Sequence, residues 1–117
     1  TRSFLFIDEC IEATRRLMDS NCAEPLNIGS EQMVTINELA RIAITLSGKK
    51  LSIANIQGKD FFSKYGFECP IGVRGRNSDN ALFLKNIGWS VENNLESGMA
   101  KTFPWIESQT KLNKKLS

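Results

Sequence analysis

The sequence contains no histidine, and this absence excludes several classes of enzyme and metal site. Ser-His-Asp and Cys-His catalysis both need an imidazole to accept a proton, and many zinc sites use imidazole as a ligand. Cysteine is scarce as well, because only Cys10, Cys22 and Cys69 occur and no Cys-x-x-Cys spacing is present. We therefore predict reduced structural thiols, no disulfide framework and no metal site.

Long apolar runs and a strong charge of either sign are also missing. No stretch approaches the roughly 18 apolar residues of a membrane-spanning helix, and no basic start followed by an apolar core resembles a signal peptide. The net charge of +2 on 117 residues is too small to imply a nucleic-acid or membrane partner. We expect one small, soluble cytoplasmic unit with neither kind of partner.

A glycine-rich dinucleotide motif is the third absence. The spacing Gly-x-Gly-x-x-Gly after a first strand does not occur, since Gly72 and Gly75 have the wrong spacing and precede no immediate helix. No cofactor-binding residue is therefore predicted in this chain.

The most distinctive stretch that is present runs from Gly72 to Asn80, where Arg74 and Arg76 lie on a glycine-containing backbone just ahead of an apolar helical run. Guanidinium groups bind phosphate through two parallel hydrogen bonds, so such a stretch suits an anion. Two arginines that alternate along an exposed strand also suit a solvated face, and that arrangement is the more common one. The rest of the sequence is needed to distinguish an anion-binding stretch from a solvated face.

Four helices are predicted from apolar periodicity and from residues that cap helix ends. The clearest begins at Ile36, because Thr35 and Glu38 form a capping box and Gly48 suits a left-handed helix end. A second helix is capped by Asp8 and has an apolar face at Ile11 and Met18. A third runs over Ala81 to Ile87 and is capped by Asp79. A fourth runs from Leu95 toward Lys111, and Pro104 is predicted to kink it or to break it early.

Three short strands are predicted, over residues 1–7, 25–28 and 51–56, from β-branched content and alternation. The first begins without leader or capping residues, so we expect the chain to begin within a domain. Residues 57–71 have no clean period but carry four aromatic side chains, Phe61, Phe62, Tyr65 and Phe67. This segment is predicted to be a loop or short helix that covers a substrate cleft, plugs it from beneath, or fills the small core.

The order of these elements resembles the C-terminal third of the extended short-chain dehydrogenase/reductase family. Arg2 to Glu9 resembles the family's Arg-x-x-x-x-(Val/Ile)-(Asp/Glu)-Asp segment, Leu26 to Gly29 resembles its Tyr-Asn-Ile-Gly strand, and Leu84 to Trp89 resembles its Leu-Gly-Trp helix end. Among family members, Arg2 to Cys10 and Gly72 to Asn80 are most similar to epimerases that act on GDP-sugars. The resemblance covers nearly the whole chain except part of the aromatic segment.

The resemblance implies an α/β fold, namely the substrate-binding C-terminal portion of an extended Rossmann-type enzyme, with about four helices and three to four short strands. Residues 1–117 would form this single portion, and residues 57–71 would be an aromatic insertion longer than in a typical epimerase. The implied function is to bind the nucleotide-sugar, a GDP-sugar, of an NAD-dependent epimerase.

The resemblance also assigns site residues. Arginines at the positions of Arg2 and Arg76 commonly contact the substrate diphosphate in the family, and Arg74 is a weaker third candidate. Asp79 and Asn80 are assigned to structure, as caps of the next helix. Phe103 occupies a substrate-pocket position where the family often has tyrosine, so a hydroxyl contact to substrate is lost there.

The family's catalytic Tyr-x-x-x-Lys pair is absent, because the only tyrosine is Tyr65 and Cys69 stands where the lysine would be. We therefore predict no catalytic residue in this chain, NAD in the full-length parent only, and no turnover by the chain alone. A predicted strand such as Leu26 to Ile28 would lose its neighbours in the isolated chain, so homodimerisation through an unpaired edge is a further expectation.

Two other interpretations remain open from the residues alone. Gly72-Val73-Arg74-Gly75 has the form of the Gly-x-x-Gly backbone clamp of KH RNA-binding modules, although it follows Cys69-Pro70 and not a helix. The chain is alternatively a structural or dimer-forming domain in which the arginines pair with some of the thirteen acidic residues.

Overall fold

The described residues form five α-helices joined by segments without regular secondary structure. The computed structural model describes residues 1–70 and 72–113, and in chain order its helices are α1 (Ile7–Met18), α2 (Ile36–Ser47), α3 (Gly58–Tyr65), α4 (Ala81–Ile87) and α5 (Leu95–Asn113). All four predicted helices are present. The additional helix, α3, lies in the aromatic segment, which had been predicted as a loop or a short helix.

Helix α2 begins and ends as its sequence predicts. The backbone N–H of Glu38 donates to Thr35 Oγ1 at 3.1 Å, and the backbone N–H of Thr35 donates to Glu38 Oε2 at 2.6 Å. The Thr35 hydroxyl also donates to Glu38 Oε2, at 2.8 Å. The two bonds that Thr35 donates to this carboxylate, first from its backbone and then from its hydroxyl, lower the pKa of Glu38. At the other end Gly48 has a φ of 64°, a left-handed conformation that glycine adopts without strain.

Helix α4 spans Ala81–Ile87 as predicted, whereas some of the caps and ends predicted for the other helices and for α4 need correction. Asp8 does not cap α1, because the helix begins at Ile7 and Phe6, two positions before Asp8, holds the cap position without a side-chain bond. Asp8 lies in the first turn instead, where a carboxylate also favours the helix dipole. Asp79 does accept the N–H of Ala81 at 3.0 Å, but Asn80 occupies the cap position of α4. Of the kink or early break predicted at Pro104, the break is wrong, since α5 is helical on both sides of it, and the kink stays a prediction.

The predicted strands are wrong throughout the described residues. Their only β-type pairing is an isolated antiparallel bridge, in which the backbone N–H groups of Arg2 and Val34 each donate to the other's carbonyl at 2.9 Å. Residues 25–28 and 51–56 form neither helix nor strand. An extended segment becomes a strand only when a second one bonds to it, and the described part of this chain supplies no such neighbour.

The core is small and centres on the α4 side chain Phe83, which is 1% exposed. The rings of Phe83 and Trp89 meet edge to face with centroids 6.2 Å apart, and the Arg16 guanidinium lies 5.6 Å from the centre of the Trp89 ring. Among the described residues, Ala13 and Leu95 are also buried. Helix α2 packs against α5.

Much apolar surface stays outside this core. The radius of gyration is 18.3 Å, whereas a compact chain of this length has about 13 Å. The accessible surface is 9217 Å², against about 6,400 Å² for a compact protein of this size. On α1 the apolar stripe of Ile7, Ile11 and Met18 faces solvent. The chain therefore does not enclose all of its apolar faces by itself.

Candidate functional site

Two of the three predicted anion-binding arginines line one cleft. Arg2 and Arg76 stand on a cleft of about 350 Å³ whose remaining walls are residues 27–29 and 77–79. Ser3 lies at the same edge, whereas Arg74 does not line the cleft. The structure thus brings together residues that are far apart in the sequence. Arg2 comes from the N-terminal segment, and Arg76 comes from residues 72–80, the glycine-arginine stretch.

The Arg2 side chain is held in place by backbone acceptors. Its Nη1 donates to the carbonyl of Thr1 at 2.7 Å and to that of Val73 at 2.8 Å, while its backbone pairs with Val34. The amino nitrogen of Thr1 additionally lies 2.6 Å from the carbonyl of Arg74. Within residues 1–70 and 72–113, Nε and Nη2 of Arg2 have no hydrogen-bond partner. The guanidinium is therefore oriented and still has donors to offer.

Arg76 and Arg74 are both exposed, and neither forms an ion pair with another described residue. The ion pairs in the described part of the chain run along helices, between Glu12, Arg15, Arg16 and Asp19 on α1 and between Glu107 and Lys111 on α5. Neither Arg74 nor Arg76 takes part in them. The interpretation of these arginines as salt-bridge partners of acidic side chains is therefore wrong for the part of the chain that the structure describes.

Asn80 ties the glycine-arginine stretch to the segment opposite. Its Oδ1 accepts the backbone N–H of Gly29 at 3.1 Å and the hydroxyl of Ser78 at 2.6 Å, and its Nδ2 donates to the Gly29 carbonyl at 2.6 Å. The backbone N–H of Asn80 donates to Glu31 Oε1 at 3.2 Å. Sequence reasoning missed this role, because an Asn ahead of a helix indicates a cap and does not identify a distant backbone partner.

Gly29 is required where these two segments touch. A Cβ atom placed on Gly29 would lie 2.7 Å from the Cβ of Ser78, closer than two such carbons approach in proteins. The Ser78 backbone N–H also reaches the Ser30 carbonyl, at 3.4 Å. The absence of a side chain at position 29 therefore lets the two walls of the cleft come together.

Phe103 lies elsewhere. It lines a separate apolar groove of about 420 Å³ between the N-terminal segment, α2 and α5, together with Phe4, Phe6 and Ile106. The only hydroxyl in this groove, that of Thr102, already donates to the Gly98 carbonyl at 2.9 Å. Phe103 is therefore not brought together with Arg2 and Arg76, and its place in a substrate pocket stays a prediction.

The aromatic segment packs on itself. The Phe61 ring lies 4.6 Å from that of Tyr65 and 5.4 Å from that of Phe67, measured between centroids. No residue of α3 is buried, and Phe62 is 53% exposed. The interpretation of these rings as core filling is therefore wrong. Their role over a substrate cleft stays a prediction.

Comparison with known proteins places these residues in a family. The chain is 45% identical over 109 residues to GDP-mannose 3,5-epimerase of Arabidopsis thaliana and 44% identical over 109 residues to GDP-mannose 3,5-epimerase 1 of Oryza sativa subsp. indica. Each match covers 93% of this chain and 26% of the relative. GDP-L-fucose synthase 1 of Arabidopsis thaliana is 32% identical over 107 residues, which are 89% of this chain and 29% of the relative.

The chain belongs to the extended short-chain dehydrogenase/reductase family. It corresponds to a C-terminal portion of such an enzyme and spans about a quarter of the length of the curated relatives it matches. No family model matches the chain. The predicted relationship is therefore confirmed, while the strands expected from an α/β member of the family are missing from the described residues.

Proposed function

We propose that this segment forms the diphosphate-binding part of an NAD-dependent epimerase that acts on a GDP-sugar. The observation that carries the proposal is that Arg2 and Arg76 line a common cleft and that neither guanidinium pairs with an acidic side chain of the described residues. The similarity to two GDP-mannose 3,5-epimerases supports the choice of GDP-sugar.

The two arginines differ in how they would hold a diphosphate. Arg2 is oriented by its bonds to the Thr1 and Val73 carbonyls, so little side-chain freedom is lost when an anion arrives. Arg76 is exposed and free to approach the second phosphate. Each guanidinium presents a planar fork to phosphate oxygens, and a charge-assisted hydrogen bond of this kind contributes about 1.5–3 kcal/mol. Together they would fix the nucleotide end of the substrate.

The residues of this chain do not fit NAD. The loop ahead of α4 is the glycine-arginine stretch, and it lacks the glycine spacing that lets a dinucleotide pyrophosphate approach a helix start. Cofactor and catalytic base would then come from the remainder of the enzyme. In this proposal the chain alone is inactive, binds no nucleic acid and acts in the cytoplasm. No described helix has the length and apolar character needed to cross a membrane.

The isolated chain is also proposed to form a homodimer. The solvent-facing stripe on α1 and the exposed aromatic segment support this, because apolar patches of such extent are usually covered. Sedimentation at several protein concentrations measures the association directly.

The test of the binding site is Arg76→Ala in the intact enzyme, followed by titration with GDP. Loss of one charge-assisted phosphate contact predicts a rise in Kd of about ten- to hundredfold. Arg74→Ala is expected to cost less, because Arg74 does not line the cleft. Arg41→Ala, which removes the same charge from α2, serves as the control and should leave Kd unchanged. Equal GDP affinity for wild type and Arg76→Ala would assign Arg76 to structure.

A further inference from the structure

The side chain of Asn80 is buried, and its hydrogen bonds connect two segments that are far apart in sequence. It is 7% exposed, and both its amide oxygen and its amide nitrogen bond to Gly29, with the oxygen also accepting from Ser78. A single side chain thereby pairs with the N–H and the C=O of one distant residue, as a neighbouring strand would. The two bonds to Gly29 thus take the place of strand pairing next to residues 25–28, which were predicted to form a strand.

The geometry places this contact directly behind the arginine cleft. Gly29 and Ser78, both held by Asn80, line the cleft with Arg76. Asn80 itself does not line it and faces a different cavity of about 590 Å³, beside Ser30 and Glu31. Asn80 is thus in a position to fix the cleft wall without touching a ligand bound in front of it.

We propose that Asn80 is a positioning residue, which holds the glycine-arginine stretch against residues 27–31 so that Arg76 faces Arg2 across the cleft. The inference rests on the proposed function, since it concerns the same diphosphate site. Without the Asn80 amide, the Gly29 N–H and C=O and the Ser78 hydroxyl lose their partner. The bonds that remain between the two segments ahead of position 80 are long, from the Ser78 N–H to the Ser30 carbonyl at 3.4 Å and from Asn77 Nδ2 to the Glu31 carbonyl at 3.3 Å. Arg76, two positions before Ser78, is then held less firmly and its contact with the anion weakens.

The experiment is a double-mutant cycle in the intact enzyme, with GDP as the titrated probe. Asn80→Ala is expected to raise Kd about three- to tenfold. If Asn80 acts only through Arg76, the double variant should bind GDP as Arg76→Ala alone does, so the effect of Arg76→Ala should be smaller in the Asn80→Ala background by the same roughly three- to tenfold. A purely structural role would lower the melting temperature but would leave the two effects on Kd additive.

Two further variants keep the test decisive. Asn86→Ala is the matched control, because Asn86 donates to the Leu82 carbonyl at 2.9 Å within α4 and has no contact with the cleft. It should leave Kd unchanged. Asn80→Asp keeps an acceptor for Gly29 and Ser78 but sets a carboxylate oxygen against the Gly29 carbonyl, which Nδ2 approaches to 2.6 Å, so Kd should rise at least as much as in the alanine variant. It also carries the cycle if the alanine variant fails to fold.

The outcomes separate the two proposals. A large effect of Arg76→Ala that is undiminished in the Asn80→Ala or Asn80→Asp background overturns the positioning role and leaves the proposed function standing. An Arg76→Ala variant that binds GDP as tightly as wild type overturns both.

Discussion

Phe83→Ala is the substitution expected to destabilise this chain most. Phe83 is 1% exposed and is the largest side chain among the fully buried ones of the described residues. Replacing a buried phenylalanine by alanine costs about 3–5 kcal/mol, from lost apolar transfer and from the cavity left behind. The edge-to-face contact with Trp89, at 6.2 Å between centroids, is part of that loss. Small domains have only about 5–15 kcal/mol of stability, so much of it would disappear.

Thermal unfolding followed by far-ultraviolet circular dichroism measures this effect. A loss of this size corresponds to a fall in melting temperature of well over about 10 °C for a chain of roughly 100 residues. Phe62→Ala is the matched control, because it makes the same chemical change at a side chain that is 53% exposed, and its melting temperature should stay within a few degrees of wild type. Similar shifts for the two variants would refute the assignment of Phe83 as the centre of the core.

Three other predictions follow from the charges, the aromatic segment and the missing catalytic groups. Hydrogen bonds from Arg15 and Arg16 lower the pKa of Glu12 from 4.5 to about 2, so the stability this carboxylate gives α1 is present above pH 4.5 and is lost as the pH falls toward 2. Glu12→Gln should remove that part of the pH dependence of the melting temperature. A melting temperature of Glu12→Gln that falls with acid as steeply as that of wild type would contradict this. Replacing Phe61 and Phe62 together by serine should shift a dimer toward monomer in sedimentation with little change in the monomer's melting temperature. A large fall in melting temperature at every protein concentration would instead show that the two rings are part of the core. The purified chain should convert no GDP-sugar with NAD. Measurable turnover would contradict the hypothesis that this chain lacks the catalytic and cofactor-binding groups of the enzyme.

Helix positions were predictable because their signals are local. Thr35, Glu38 and Gly48 determine the ends of α2 through contacts with residues at most four positions away, and the structure contains each of them. Gly88 ends α4 with a φ of 71° for the same reason. The helix start near Asp8 was placed wrongly, because a carboxylate suits the first turn as well as the cap position.

Features that depend on distant partners were not predictable in the same way. Strand propensity over residues 51–56 is real, but pairing needs a neighbour that this sequence does not identify. At the site, the resemblance to the family suggested Arg2 and Arg76, and the structure places both on one cleft. The resemblance could not suggest the Asn80 bonds to Gly29, because no spacing rule connects residues so far apart in the sequence.

The open shape of the chain also determines how it should respond to denaturant. Unfolding a compact protein of this size exposes about 12,600 Å², whereas a chain whose folded surface is already 9217 Å² exposes about a fifth less. The slope of unfolding free energy against urea concentration scales with the newly exposed area. This chain should therefore unfold over a wider range of urea concentration than compact proteins of equal length.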